Sequence, residues 1–515
     1  MNFLAPYFNN TQNILLLLGC FSFILSLLSH IRNRECLSVI FLSLTALCIF
    51  SFAALLDPFL NLWDERFHAL AAKNMMNHPL LPTLYDDPVV DIAYDRWDRY
   101  HIWLHKQPLF LWQIAICFKI FGVSEFSLRL PDIILGTIFV VITYRSSKLL
   151  ANKNVAYISS ILVISTVYIL ELIAGRQELE HNDFTFLVYI SLSIWAFIEY
   201  HYSNKKFWIY LIGLFSGFAI LCKWLVGLLV YFGWGIMRIL QKKIKISENK
   251  DFIISLVITL LVASPWQILT FIWYPEEAAS AYRFNAIHFN TPLEGHGGDF
   301  WYHLNMFNTI YGKIASFIII PGFIVLYKKN KDKIILNSLL SMVIVVYLFF
   351  SLAATKMPSF TIVVSMIIFI AFASLFDHII ELINGFFTQN TIKSLIFGVF
   401  LISIVIFNFD INSLKEKHTD NSYSCNLSHN KQIFQSLELP SNTVLFNVKG
   451  RHYIEAMFYT GLPAYNFIPS FEQYQDVKNK GRIIAIFKKS KAKIPEYLTN
   501  DSTVIIIDKE IRGYK

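Results

Sequence analysis

Asp64 and Glu65 stand side by side just after a long apolar run, in Asp57-Pro-Phe-Leu-Asn-Leu-Trp-Asp64-Glu65-Arg-Phe-His68. Two adjacent carboxylates at a membrane edge are costly to desolvate unless they are paired, bound to a metal or held protonated for a task. The pair reads equally as the solvated start of a loop, and spacing alone leaves both readings open. Further on, Tyr94-Asp-Arg-Trp-Asp-Arg-Tyr-His101-Ile-Trp-Leu-His105-Lys106-Gln-Pro108 alternates charge with aromatic faces. That composition suits a helix among lipid headgroups, and equally a pocket in which Lys106 grips a phosphate.

Three other segments carry ionisable groups between apolar runs. Arg176, Glu178, Glu180, His181 and Asp183 share one short loop. A charge at the bilayer centre costs at least roughly 2.5–3.5 kcal/mol, so ionisable groups pointing into a bundle mark function, although the penalty fades near the interface. The loop from Trp273 to Asn305 holds His288, Glu294, His296, Asp299 and His303 with glycines at 295, 297 and 298. Imidazole and carboxylate together suit zinc or manganese, but the spacing matches no metal motif, and a flexible substrate loop is the preferred reading. In Ala353-Ala-Thr-Lys356-Met-Pro358 one lysine separates two apolar runs. It either snorkels or pairs with a lipid phosphate.

The elements that must position these groups are membrane helices. The chain is 55% hydrophobic and 16% charged, and its apolar residues come in long runs rather than amphipathic spacing. That is a polytopic membrane protein. The net charge of +8 resides in short basic clusters between runs, such as Lys242-Lys243 and Lys328-Lys329, so it excludes a nucleic-acid partner in favour of cytoplasmic loops. The cysteines show neither a disulfide framework nor metal spacing. The first run has no basic region before it and is expected to be a retained helix.

Spans are expected near 14–29, 36–56, 131–147, 155–174, 185–202, 207–222, 224–240, 252–272, 306–327, 334–352, 359–376 and 392–408. Leu109 to Phe121 is apolar but short, and reads as a juxtamembrane helix in the interface. With this count the basic loops at 30–35, 145–153, 204–206, 241–250 and 328–333 all fall on one side, which the positive-inside rule makes cytoplasmic. Segments 57–130, 175–183, 273–305 and 353–358, the turn at Lys223 and the tail then share the other side. In the tail, Thr443 to Val448, Arg482 to Phe487 and Thr503 to Ile507 read as short buried strands with helices between them, a small α/β domain. The expected division is a transmembrane domain over 1–409, whose first outer loop 57–130 carries the chemistry, and a soluble domain over 410–515.

In order along the chain, these segments resemble the membrane glycosyltransferases of the GT-C fold, specifically the protein O-mannosyltransferase and aminoarabinose (lipid A) transferase superfamily. The resemblance rests on Trp63-Asp64-Glu65, Lys106-Gln-Pro-Leu-Phe-Leu-Trp112, Gly122-Val-Ser-Glu-Phe-Ser-Leu-Arg129-Leu-Pro131, Asn182-Asp183-Phe, Gly217-Phe-Ala-Ile-Leu-Cys-Lys223, the His288-Phe289 and Glu294-Gly-His296 loop, and Phe350-Ser-Leu-Ala-Ala-Thr-Lys356-Met-Pro. It implies an all-α polytopic domain of about 12–13 transmembrane helices, with juxtamembrane helices in the first outer loop, followed by the α/β domain.

The resemblance also implies an integral enzyme, in a bacterial inner membrane with its site on the periplasmic side, that moves a sugar from a polyprenyl-phosphate carrier such as undecaprenyl phosphate. The acceptor would be a hydroxyl or phosphate of a lipid, glycan or protein. Asp64 would act as general base, with Glu65 and Asp183 completing the catalytic group. Lys106, Lys356 and Arg129 would hold the carrier phosphate, and His288, Glu294 and His296 would form a substrate loop. A divalent metal ion is the one cofactor left open, with His105 and His288 as candidate ligands. Relatives often have Glu-Lys-Pro-Pro where this chain has His105-Lys106-Gln107-Pro108, which puts that metal in doubt. An oligosaccharyltransferase, an O-antigen ligase or a lipid or sugar transporter remains the alternative, although no Trp-Trp-Asp sequence and no repeated halves are present.

Overall fold

The computed structural model describes residues 7–91, 97–177, 180–243, 245–419, 422–488 and 493–513, without the side chains of 416–419 and 422–424. Glu178 and the stretch from Tyr94 to Arg96 singled out above lie outside the described residues. The chain divides into two compact units, each made of two stretches of sequence: Met1–Leu56 with Arg129–Leu414, and Asp57–Leu128 with Lys415–Lys515. The first outer loop, however, folds with the tail and not with the helical domain. The reason is electrostatic and long-range: Arg66 pairs with Glu455, Glu125 with Lys431 and Asp87 with Arg482, partnerships that no local pattern announces.

The first unit is helical. Among the described residues nine helical stretches are long and apolar enough to cross a membrane, or eleven if each of two bent pairs is one span. One of the nine, Phe207–Leu240, reverses within its length. Its first helix, Phe207–Lys223, ends where Trp224 turns to φ 66°. The short turn Trp224–Leu228 then brings Gly227 back against the backbone of Ile220, and the Ser216 hydroxyl donates to the Gly227 carbonyl at 2.6 Å. Counted as two passes, this hairpin brings the number to the twelve expected. The same reversal keeps Lys223 at a turn.

Two expected spans are broken. The helices Lys153–Ser165 and Val167–Ile173 meet at 55°. Ser165 and Thr166 at the break both turn their hydroxyls onto carbonyls four residues back, a bond that bends helices. Tyr302–Tyr311 and Ala315–Lys329 meet at 88°, across Gly312 with φ 105°. A Cβ-free residue is what that backbone requires, so the span expected over 306–327 is not continuous.

Close packing uses small residues, as helices in lipid do. Gly213 and Gly217, one turn apart, lie so near the helix Lys250–Trp273 that an added Cβ would come within 2.5 Å of the Ser255 carbonyl and 2.6 Å of Val262.

The basic loops expected together meet at one end of this unit. Glu35 pairs with Lys148 at 2.5 Å, and His30 with Asn154 at 3.1 Å. Glu199 pairs with Arg145 at 2.5 Å, Tyr200 with Asp251 at 2.6 Å, and His201 with Asp332 at 2.6 Å. Asn330 bonds the Leu150 carbonyl at 2.6 Å. Contacts among the loops expected opposite gather at the other end. Arg129 donates to the Ala54 carbonyl at 2.8 Å, and the amides of Ala354 and Thr355 donate to the carbonyls of Phe289 and His288 at 2.9 and 3.0 Å.

The second unit contains the expected small sheet. Thr443–Phe446, Ile483–Phe487 and Ile505–Ile507 pair in parallel in that order, with Thr443 opposite Ile483 and Ala485 opposite Ile505. Near-continuous apolar runs are the signature of strands covered on both faces. Helices Tyr453–Thr460 and Phe471–Asn479 fall between the first two strands. The helix Asp64–Met75 packs in the same unit with Pro108–Phe121, whose Phe110, Leu111, Ile114 and Phe118 are buried while Ile116, Ile120 and Phe121 are exposed.

Candidate functional site

In the second unit Asp64 begins the helix Asp64–Met75, so its carboxylate sits where unpaired amides and the helix dipole favour negative charge. It is buried and pairs with Lys106, whose Nζ lies 2.5 Å from Asp64 Oδ2. Lys106 is delivered by the turn before Pro108, which starts the next helix. Glu65 is buried and turns away from that pair, accepting the Asn61 amide at 2.5 Å. The residue before Asp64 is strained: Trp63 has φ 58° and ψ −123°. A non-glycine residue held there costs about 1–3 kcal/mol, and such strain gathers at functional sites. His105 stacks on Trp97 at 4.4 Å between ring centres.

The first unit carries a second group at its acidic-loop end. Asp183, first residue of the helix Asp183–Ser203, is buried and forms an ion pair with Lys223. It also accepts the Ser359 hydroxyl. The Ser359 amide donates to Glu180 at 3.0 Å, and the Tyr168 hydroxyl donates to the other Glu180 oxygen. Burial, with Asp183 beside it, pushes Glu180 up to about 6, although its hydrogen bonds oppose the shift. The lysine stem and ammonium lie over Phe360, 4.8 Å from its centre. Trp224, directly after Lys223, repeats the strain of Trp63 with φ 66°.

Lys356 is buried and spends its ammonium on the C-terminal carbonyls of the helix Lys333–Leu352 and the turn after it: Ser351 at 2.8 Å, Ala353 at 2.7 Å and Phe350 at 3.2 Å. A phosphate held by Lys356 would displace one of these. Its backbone amide donates to the His296 carbonyl at 3.0 Å, so the histidine loop and the lysine loop are stitched together. Within that loop Glu294 is exposed, with φ 53°, and His288 Nδ1 lies 3.0 Å from the Phe284 carbonyl. Arg129 is fully buried beneath the end of the helix Glu35–Ala54, where it caps Ala54.

Among the described residues no three His, Cys, Asp or Glu side chains gather to hold a metal ion. Among those residues neither His105 nor His288 has two further such side chains gathered with it. Of the residues singled out in the sequence, Asp64 meets Lys106, and Lys356 meets the backbone of the His288 to His296 loop. Asp183 meets Lys223, Ser359 and Glu180, of which Lys223 and Ser359 were not read as site residues. A lone lysine ending an apolar run was the available signal for Lys223; Ser359 offered none.

The sequence pattern of the dolichyl-phosphate-mannose-protein mannosyltransferase family matches residues 105–269. That stretch includes Lys106, Arg129, Asp183 and Lys223 but not Asp64 or Lys356. An uncharacterized protein of Aquifex aeolicus (strain VF5) is 27% identical over 217 residues, 42% of this chain and 40% of that relative; the chain thus spans less than half of that relative's length. Among solved structures, ArnT from Cupriavidus metallidurans bound to undecaprenyl phosphate is similar with a TM-score of 0.63 at 14% identity, over 91% of this chain and 89% of that one. The oligosaccharyltransferase AglB from Archaeoglobus fulgidus, in complex with an inhibitory peptide and a dolichol-phosphate, is similar with a TM-score of 0.53 at 10% identity, over 83% and 64%.

Proposed function

We infer that this chain, which has the GT-C fold and resembles the protein O-mannosyltransferase and aminoarabinose transferase superfamily, is a membrane glycosyltransferase that moves a sugar from a polyprenyl-phosphate carrier to an acceptor hydroxyl or phosphate. The observation that carries this reading is the buried Asp64–Lys106 pair at a helix N-terminus, behind a strained Trp63. It provides a base and a phosphate-binding cation within 2.5 Å of each other.

The step is a single displacement. Asp64 takes the proton of the acceptor hydroxyl, the acceptor oxygen bonds to the sugar's anomeric carbon, and the bond from that carbon to the phosphate oxygen breaks. The electron pair leaves with the phosphate, and the anomeric centre inverts. General base help of this kind supplies about 10²–10⁴-fold. Lys106 serves twice. With no carrier bound it neutralises Asp64; when the carrier phosphate arrives it swings to the new anion, and the carboxylate it leaves becomes a stronger base. Within the helical unit Asp183, paired with Lys223, is assigned to catalysis, Lys356 and Arg129 to the carrier phosphate, and His288, Glu294 and His296 to a substrate loop.

Within the helical unit, Glu180 and Asp183 face the non-cytoplasmic side, the periplasm of a bacterial inner membrane. What supports this is the meeting of the basic loops at the opposite end of the helical unit. The reading is tested with Asp64→Asn in liposomes supplied with undecaprenyl-phosphate-linked sugar. Transfer should fall by about 10²-fold or more with insertion and thermal stability kept; wild-type transfer by that variant refutes the role of Asp64.

A further inference from the structure

The strands of the tail, Thr443–Phe446, Ile483–Phe487 and Ile505–Ile507, are almost wholly apolar. Its helix Tyr453–Thr460 and the turn before it, however, carry Arg451 and Glu455, which reach Trp63 and Arg66 at the helix Asp64–Met75 and Asp98 in the segment that leads to Lys106. Arg451 Nε lies 2.7 Å from Asp98 Oδ2, and its guanidinium sits 4.0 Å from the centre of the Trp63 ring. Glu455 takes Arg66 at 2.9 Å on one oxygen and His452 at 2.9 Å on the other, and all three are buried. The Tyr453 hydroxyl donates to the Asp98 carbonyl, and Lys73 donates to the Phe458 carbonyl at 2.6 Å.

These contacts close a ring around the candidate base. Arg451 lies on Trp63; Trp63 is bonded to Asp64; Asp64 pairs with Lys106; Lys106 is bonded to His105; His105 stacks on Trp97 at an interplanar angle of 12°; Trp97 is bonded to Asp98; and Asp98 returns to Arg451. A positive φ at tryptophan persists only where the surroundings over-determine it. Arg451 is the side chain that holds the indole by its face and the Asp98 segment by its edge at once. A planar guanidinium does both with separate parts, its flat face on the indole and its edge on the carboxylate; an ammonium has no flat face to stack.

We propose that Arg451 is a positioning residue, which fixes the backbone of Trp63 and thereby the direction of the Asp64 carboxylate, so that the tail completes the site formed by the first outer loop. This rests on the reading of Asp64 as the base. The tail therefore acts on the rate of the chemical step and not on binding of the carrier.

Two measurements test it. In kinetics, Arg451→Ala should lower kcat by about 10–100-fold with KM for the carrier changed less than about threefold, the signature of misplaced reacting groups. Arg451→Lys should recover only part of this, and Arg451→Ala should add little to the loss already caused by Asp64→Asn. A KM effect that dominates, or full rescue by lysine, overturns the proposal. Hydrogen exchange, which needs no activity, should show amides of residues 60–67 exchanging faster in Arg451→Ala while those of Thr443–Phe446 and Ile483–Phe487 stay protected. Asp98→Asn, which leaves the tail's own residues intact, should loosen the same amides, and decides the matter if Arg451→Ala unfolds the sheet. Unchanged exchange at 60–67 in Asp98→Asn overturns the brace. If the wild type transfers no sugar from a polyprenyl-phosphate carrier, the transfer reading fails while the exchange result still judges the brace.

Discussion

Lys106 Nζ and Asp64 Oδ2 stand 2.5 Å apart with the aspartate buried and the lysine only 17% exposed. The cation proposed for the carrier is thus already engaged by the proposed base, and removing it has two opposite effects. Lys106→Met should raise KM for the carrier by about 10-fold or more and take the cation from a buried carboxylate, at about 3 kcal/mol in stability. Lys106→Met combined with Asp64→Asn should recover most of that stability but no transfer. Thermal unfolding of the single and double variants, alongside the kinetics, checks both halves.

Lys223 and Asp183 form the corresponding pair of the helical unit, with Asp183 buried and Lys223 26% exposed. Lys223→Ala should destabilise by about 3 kcal/mol, the low end for breaking a buried pair because the lysine still touches solvent. In a double-mutant cycle Asp183→Asn should then cost much less in the Lys223→Ala background than in the wild type. Additive losses would mean that the two are not coupled.

Glu180 makes stability depend on pH. Its carboxyl, pushed up to about 6 from 4.5 by burial and by Asp183, binds its proton more tightly folded than unfolded. The stabilising contribution is therefore complete below about pH 4.5 and is lost as pH rises through about 6. The shift corresponds to about 2 kcal/mol. Glu180→Gln, which cannot ionise, should gain stability relative to the wild type between pH 5 and 7.5. A Tm difference between the two that stays constant over that range would show the shift to be absent.

Gly213 is a packing residue. An added Cβ would lie 2.5 Å from the Ser255 carbonyl oxygen and 2.8 Å from Ile258, and backbone cannot step aside as a side chain can. Gly213→Val should destabilise by about 1–3 kcal/mol, whereas Gly235→Val, where nothing lies within 4 Å, should cost little by packing. Comparing the Tm values of the two variants in detergent separates close helix approach from a general intolerance of valine.

Much of the helical unit was legible because lipid imposes long apolar runs and leaves basic loops on one side, so the parity of twelve passes could be read before any contact was known. Asp64 was legible as a carboxylate in an expensive place, and Lys106 as a cation among aromatics. The break at Gly312 was signalled by a glycine inside an apolar run, a signal that alone does not distinguish a bend from a packing site. The hairpin at Lys223 could be placed because a lone charge interrupts an apolar stretch, but its bond to Asp183 could not. Arg451, Glu455 and Ser359 were silent for one shared reason. Their partners are far away in sequence, 176 residues for Ser359 and Asp183 and 353 for Arg451 and Asp98, and neither periodicity nor spacing records such distances. For the same reason the grouping of the first outer loop with the tail is silent in the sequence.

The unit that holds Asp64 is assembled from Asp57–Leu128 and Lys415–Lys515, which sets an order of events during synthesis. At about 5–20 residues per second, the ribosome needs tens of seconds after finishing the first stretch before the second emerges. Throughout that interval Arg66 and Asp98 are without Glu455 and Arg451. A nascent chain that stops short of residue 415 should hold its carboxylates in an unfinished loop open to protease, and on the proposed reading it transfers no sugar until residues 415–515 arrive.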